Sequence, residues 1–292
     1  MVGQPRNPLV APAFGLLVVL VGTNLVAIRY SNRELAPFWN AGFRFVLAAA
    51  GFAIIAAVRR SPRPTRRQII GGAAYGLFAF AGFFGFIYVG LVRAPATIGQ
   101  TMLAVNPLVT MLLAAAFGME RLRGRALVGA AISLVGIGLS FGVASRLDVP
   151  ILSLLALLAA TTSFAAGSIV ARGLRGADPV VQNLLATLVG GSILLGLSAA
   201  LGEPWRLPTA AGTWLAFGYL VVPGTLLVFL LLLYVLREWS ATASSYQFVL
   251  APIVSISLAG LLLGEPVGPQ VLAGVALVLI GVYIGALSGR PR

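Results

Sequence analysis

The second half of this chain repeats the first. Residues 96–142 lie over residues 241–287 at a constant offset of 145 with no gap, and 12 of the 47 positions are identical. Several matches are Ala or Leu, which an apolar chain produces by chance. The pairs Thr97/Thr242, Pro107/Pro252, Glu120/Glu265, Gly129/Gly274 and Gly136/Gly281 are harder to dismiss. An offset of 145 in 292 residues makes the repeat half the chain. Internal duplication in an apolar chain is how secondary transporters are built, with the binding site between the two repeats.

Composition says where such a chain must live. Of its residues 59% are hydrophobic and 9% charged, against about 25% charged in a soluble domain. No soluble fold hides that much apolar surface, so the expected class is all-α and polytopic in a membrane. The net charge of +13 is carried entirely by arginine, 20 residues with no lysine. These arginines sit mostly in short connections between apolar runs, where anionic lipid headgroups are their natural neighbours, and no nucleic-acid partner is expected. There is no cysteine and no histidine. That removes disulfides, thiolate nucleophiles and the commonest general base and metal ligand. No catalytic constellation, metal site or cofactor is expected.

A membrane helix needs about 20 mainly apolar residues. Breaks at charges, Pro and Gly give ten spans, at 10–28, 36–58, 68–91, 95–118, 125–143, 149–171, 179–201, 210–236, 241–263 and 268–287. The first has no small-residue cleavage site after it and a counterpart in the second repeat, so it is kept as a helix rather than a signal peptide. With the N-terminus inside, 14 arginines fall on the cytoplasmic side and 5 on the other, which puts both termini in the cytoplasm. Five helices per repeat is odd. The repeats 1–146 and 147–292 therefore enter the membrane from opposite sides, as inverted-topology repeats around a central cavity.

The segment Ala94-Pro95-Ala96-Thr97, then Asn106-Pro107, Gly118-Met119-Glu120-Arg121, Gly129 and Gly136 resembles the EamA repeat of the drug/metabolite transporter superfamily. The second copy reads Ser240-Ala241-Thr242, Ala251-Pro252, Gly264-Glu265-Pro266, Gly274 and Gly281, and Gly22-Thr23-Asn24, Pro37 and Arg44 fit the opening helices. The sequence looks most like the YddG-type aromatic amino-acid exporters. The resemblance implies a basket of ten helices around a cavity open to one side. It departs from the pattern at Arg121, where the second copy has Pro266.

Pro107 and Pro252 fall near the middle of the fourth and ninth spans. Each should kink its helix and free carbonyls near Leu103 and Phe248. Asn24, Gln100, Thr101, Asn106, Thr162, Ser163, Ser244, Tyr246 and Gln247 are candidate cavity residues around those breaks; ordinary helix–helix hydrogen bonding is the alternative. Pro223 with Gly224 should break the eighth span in the same way. Arg44 is the one charge well inside a span. It is either an anchor for a substrate carboxylate or a structural arginine that caps carbonyls or snorkels outward. Its presence in family members with chemically different substrates favours the structural reading. The third span carries seven aromatics between Tyr75 and Tyr88. Most are expected to pack, with Phe78 and Phe83 the candidates for a wall against an aromatic cargo. Glu120 and Glu265 read as structural carboxylates at helix ends, able to accept backbone N–H bonds. Without an interior Asp, Glu or His, a buried proton relay is missing.

These observations lead to a monomeric inner-membrane secondary transporter exporting amino acids, aromatic ones above all, by alternating access. A broader metabolite or drug exporter of the same superfamily is the alternative. An integral membrane enzyme on lipid-linked substrates is disfavoured by short loops and missing residue types.

Overall fold

The computed structural model describes residues 9–118, 124–146, 148–172, 174, 177–238, 247–265 and 267–287. Helix is the only regular secondary structure among them. In chain order these are α1 (Val10–Ser31), α2 (Pro37–Val58), α3 (Arg66–Tyr75), π1 (Gly76–Gly82), α4 (Phe83–Arg93), α5 (Ala96–Leu103), α6 (Asn106–Ala116), α7 (Gly124–Arg146) and α8 (Ile151–Arg172). They continue with α9 (Pro179–Ala200), α10 (Ala211–Val221), π2 (Val222–Leu227), α11 (Val228–Glu238), α12 (Gln247–Leu263), α13 (Pro269–Val282) and π3 (Tyr283–Leu287). Among the described residues seven runs are long and apolar enough to cross a membrane, and Leu127–Leu139, Leu250–Leu263 and Pro269–Gly285 are shorter apolar helices. The protein is thus an all-helical membrane protein.

Local chemistry explains the helix starts. Pro37, Pro179 and Pro269 occupy the first turn of α2, α9 and α13, where a missing N–H costs nothing. Thr65 and Gln68 form a reciprocal capping box on α3. Asp178 accepts from Val180 and Val181 at the start of α9.

The fourth span differs from expectation. Pro107 does not kink one long helix. The helix ends at Leu103, a turn passes through Ala104 and Val105, and a new helix begins at Asn106 with Pro107 in its first turn. Proline suits that position because the clash with the preceding carbonyl is removed once the chain has turned. Pro252, in contrast, stays inside α12.

The third and eighth spans carry an unforeseen feature. Each runs as helix, π-segment, helix, and π1 shifted by 145 falls on 221–227, one residue from π2. In the eighth span the cause is Pro223, which has no N–H for the Tyr219 carbonyl; the chain slips to i→i+5 bonding. In the third, glycines permit the slip. The α8 residue Gly167 lies so close to Ala79, and the α9 residue Gly190 so close to Phe80, that a Cβ at either would sit 2.8 Å and 2.4 Å from those side chains.

The contact between α7 and α13 is also glycine-built. A Cβ on Gly129 would lie 2.4 Å from the Gly281 carbonyl, and one on Gly136 would lie 2.6 Å from that of Gly274. Gly129 and Gly274 are 145 apart, as are Gly136 and Gly281, so exchanging the halves maps one contact onto the other. Gly138, on the same helix as Gly129 and Gly136, faces open space instead.

Candidate functional site

The eighth span's π-segment is the centre of the polar interior. Arg44 reaches it from α2 and is fully buried, at 0% exposure. Its Nε donates to Thr225 Oγ1 at 2.9 Å, one terminal nitrogen donates to the Gly224 carbonyl at 3.0 Å, and the other to Tyr88 Oη at 3.2 Å. The guanidinium lies 5.0 Å from the ring centre of Phe45 and 5.1 Å from that of Phe84. Asn24 on α1 donates to the same Gly224 carbonyl at 3.1 Å. Thr225 in turn donates to the Leu220 carbonyl at 2.8 Å, five residues back. The slip in the helix exposes the backbone groups, and α1 and α2 supply the donors.

Arg44 therefore does not snorkel. Among the described residues its hydrogen-bond partners are all neutral, and no carboxylate bonds to it. Burying an ion costs several kcal/mol after relaxation. Two aromatic faces return about 0.5–2 kcal/mol each, and a hydrogen bond to a charged group about 1.5–3. The hydrogen bonds hold the cation without neutralising it. Close by, Asn24 Oδ1 is buried with no hydrogen-bond partner; the same holds for Gln100 Oε1 on α5 and Ser255 Oγ on α12.

The other candidates divide. Gln100, Thr101 and Asn106 are buried at the α5–α6 break. Thr101 bonds back to the Thr97 carbonyl, while Asn106 donates to the Thr161 carbonyl at 3.4 Å and accepts from Thr110. Phe83 sits in the core against Phe84 and Phe164. Gln247 is buried at the start of α12. Thr162 faces outward and bonds only within its own helix; its neighbour Thr161 is the one turned inward, donating to the Leu157 carbonyl. Phe78, 38% exposed, and Ser163 line a lateral apolar groove of about 680 Å³ between π1, α4, α8 and α9, away from Arg44. Ser163 there donates to the Phe78 carbonyl at 2.8 Å. A second opening of about 290 Å³ lies among Arg63, Gln68, Asp178 and Gln182 at the opposite helix ends from Glu203. Neither opening is lined by the Arg44 cluster. Ser244, Tyr246 and Glu120 lie outside the described residues.

Glu265 caps a helix, though a distant one: its carboxylate accepts from the backbone of Ala96 at 2.8 Å and Thr97 at 3.1 Å. Glu203, which sequence reasoning missed, does the same for Phe38 and Trp39. Both follow a glycine in the left-handed region, Gly264 at φ +66° and Gly202 at φ +67°, which ends the preceding helix and turns the carboxylate across to the other half. Both stand in a Gly-Glu-Pro triplet, the signal that could have found Glu203. Glu34, in the α1–α2 connection, accepts from the backbone and hydroxyl of Thr209 and from Ala210. Those bonds, led by the Thr209 hydroxyl, hold its carboxyl down at about 2. The residues missed altogether were Thr225 and Thr161, while Tyr88 was read only as packing and Gly224 only as part of a helix break.

Comparison with known proteins fixes the family. The family model described as EamA-like transporter family matches residues 11–142 and again 151–286. The chain belongs to that family. It is 28% identical over 284 residues to the "Uncharacterized inner membrane transporter YedA" of Escherichia coli, covering 94% of this chain and 89% of that one. It is 27% identical to the "Probable amino-acid metabolite efflux pump" of Salmonella typhimurium, covering 95% and 94%. A crystal structure of a protein with 19% identity superposes with a TM-score of 0.67 over 98% of this chain and 100% of its own, a likeness of fold alone. This EamA-family chain is thus a membrane transporter or efflux pump by its relatives.

Proposed function

We propose that this EamA-family protein is a secondary exporter of amino acids in the inner membrane, suited above all to aromatic side chains as in YddG-type exporters. The observation that carries the reading is a buried, unneutralised arginine among aromatic rings at a broken helix. A zwitterion brings its own carboxylate to such a place, and Phe80, Phe83 and Phe84 offer an apolar flank for a ring. The relative named as an amino-acid metabolite efflux pump supports the substrate class.

The working mechanism is alternating access between two inverted five-helix repeats, 1–146 and 147–292, ten helices in all, with both termini cytoplasmic. Its supports are the double family match, the π-segments at one offset and the glycine contacts that map onto each other. Two repeats able to exchange conformations open to each side in turn. Three carboxylates that cap helices across the halves (Glu34, Glu203 and Glu265) act as latches on the outer face. The protein acts as a monomer among membrane lipids, without cofactor and without chemistry on its cargo.

The test is uptake into proteoliposomes holding the purified protein, using radiolabelled tryptophan, phenylalanine, threonine and a sugar nucleotide, with and without a pH gradient. Saturable entry of the aromatic amino acids is the expected result. Entry of the sugar nucleotide alone would refute the reading.

A further inference from the structure

Within the amino-acid-export reading, on which this step rests, the geometry points to the Gly224 carbonyl as a stand-in for the cargo's carboxylate, held by Arg44 and Asn24 until cargo replaces it. The first ground is donor arithmetic. A guanidinium has five N–H donors, and Arg44 uses three of them, toward Thr225, Tyr88 and Gly224. Two remain, on a side chain with no exposure to water. A planar fork with donors to spare matches a carboxylate in two-point contact, which a single peptide oxygen cannot reproduce.

The second ground is the neighbouring acceptor. Asn24 spends its amide N–H on the same Gly224 oxygen, which fixes its orientation and leaves Oδ1 buried and unpartnered. A buried acceptor without a donor is costly, and an ammonium group supplies the donor. The Arg44 guanidinium and the Asn24 amide N–H thus meet at one oxygen, with the unpartnered Asn24 Oδ1 beside the same residue. That is the complement of an α-amino acid, whose two charged groups sit on one carbon.

The third ground is how the carbonyl became available. It belongs to π2, where Pro223 has already broken the α-helical bonding. A Cβ on Gly224 would lie 2.2 Å from Asn24 Oδ1, so only glycine lets the backbone come this close. Without cargo the peptide oxygen satisfies Arg44 in part. With cargo, the carboxylate takes the donor now spent on Gly224 together with a spare one, and the ammonium turns to Asn24 Oδ1.

The experiment is counterflow of labelled L-phenylalanine in proteoliposomes, competed by unlabelled L-phenylalanine, L-phenylalaninamide and N-acetyl-L-phenylalanine. The amide lacks the carboxylate and the acetyl compound lacks the ammonium. In the unaltered protein each should compete at least tenfold less well than phenylalanine. Arg44→Lys should keep the preference for acid over amide with weaker binding, Arg44→Gln should abolish it, and Asn24→Leu should let the acetyl compound compete as well as phenylalanine. An amide equal to phenylalanine in the unaltered protein would overturn the stand-in role while leaving amino-acid export intact. Absence of any phenylalanine counterflow would overturn the export reading and this step with it.

Discussion

The two π-segments occupy the same place in the two halves and are built from opposite materials. In π1 the widened helix is filled by packing: Gly167 and Gly190 press against Ala79 and Phe80, and Ser163 donates to the Phe78 carbonyl. In π2 the widened helix is filled by polarity, from Arg44, Asn24 and Thr225. The entries differ as well. The helix leading to π1 is started by its own capping box, Thr65 with Gln68, whereas the helix leading to π2 is held by Glu34 from the other half. One bulge is held by packing beside an apolar groove, and the other is tied by side chains from two separate helices, α1 and α2. Where two halves share a backbone irregularity, function separates from structure in what the neighbours place against it.

That contrast can be broken most directly at Arg44. Replacing it with alanine leaves the Gly224 carbonyl short of a donor and removes the cation. Phenylalanine uptake should fall at least about tenfold, about 1.4 kcal/mol. The matching loss at π1, Ser163→Ala, removes one intramembrane hydrogen bond of about 0.6 kcal/mol, so uptake should change less than about twofold. Equal damage from both would erase the difference between the bulges.

Next in size comes the glycine pair. Gly224→Ala drives a methyl into Asn24 Oδ1, which is buried on an amide held in place by its Nδ2 hydrogen bond to the Gly224 carbonyl. Gly82→Ala meets Ser163 Oγ at 2.1 Å, a hydroxyl that can rotate away. Thermal unfolding in detergent should show the larger loss for Gly224→Ala, about 1–3 kcal/mol as in overpacked sites.

The carboxylate caps sharpen the comparison at the helix starts. Glu265→Ala and Glu203→Ala each strip two backbone N–H groups of an acceptor and should cost about 0.5–2 kcal/mol, the range for lost N-caps. Thermal melts of the two variants measure this, and unaltered melts would show that the caps hold nothing.

The smallest effect is at Glu34. Its folded carboxyl is depressed to about 2 from an ordinary 4.5, so its contribution is present above pH 4.5 and fades as pH falls toward 2. Melting temperature should decline over that window in the unaltered protein and less steeply in Glu34→Gln. Parallel declines would remove Glu34 as the anchor of α10.

Much of this was legible in the sequence, and the parts that were not share a cause. The membrane class, Arg44 as an isolated interior charge, and Asn24, Gln100 and Asn106 as buried polar residues follow from hydropathy and the cost of burying polarity. The π-segments were legible only in part: Pro223 with Gly224 marks a break in its helix, but the form of that break as a slip to i→i+5, and the glycine-packed slip at 76–82, depend on neighbours far along the chain, as Gly167, Gly190 and Ser163 illustrate. The Pro107 break was mislocated as a kink because one proline suits either a kinked helix or a new first turn, and packing chooses between them. Thr161 and Thr162 could not be told apart, since one residue is 100° on a helix and α8 is apolar on most faces. Glu203 was within reach, through the triplet it shares with Glu265.

The most direct measurement is counterflow of labelled phenylalanine in proteoliposomes, run side by side for the unaltered protein, Arg44→Gln and Ser163→Ala. Exchange in the unaltered protein and Ser163→Ala, with exchange at least about tenfold slower in Arg44→Gln despite an intact melting transition, is the expected result. Undiminished exchange in Arg44→Gln, or no amino-acid exchange in any of the three, would contradict it.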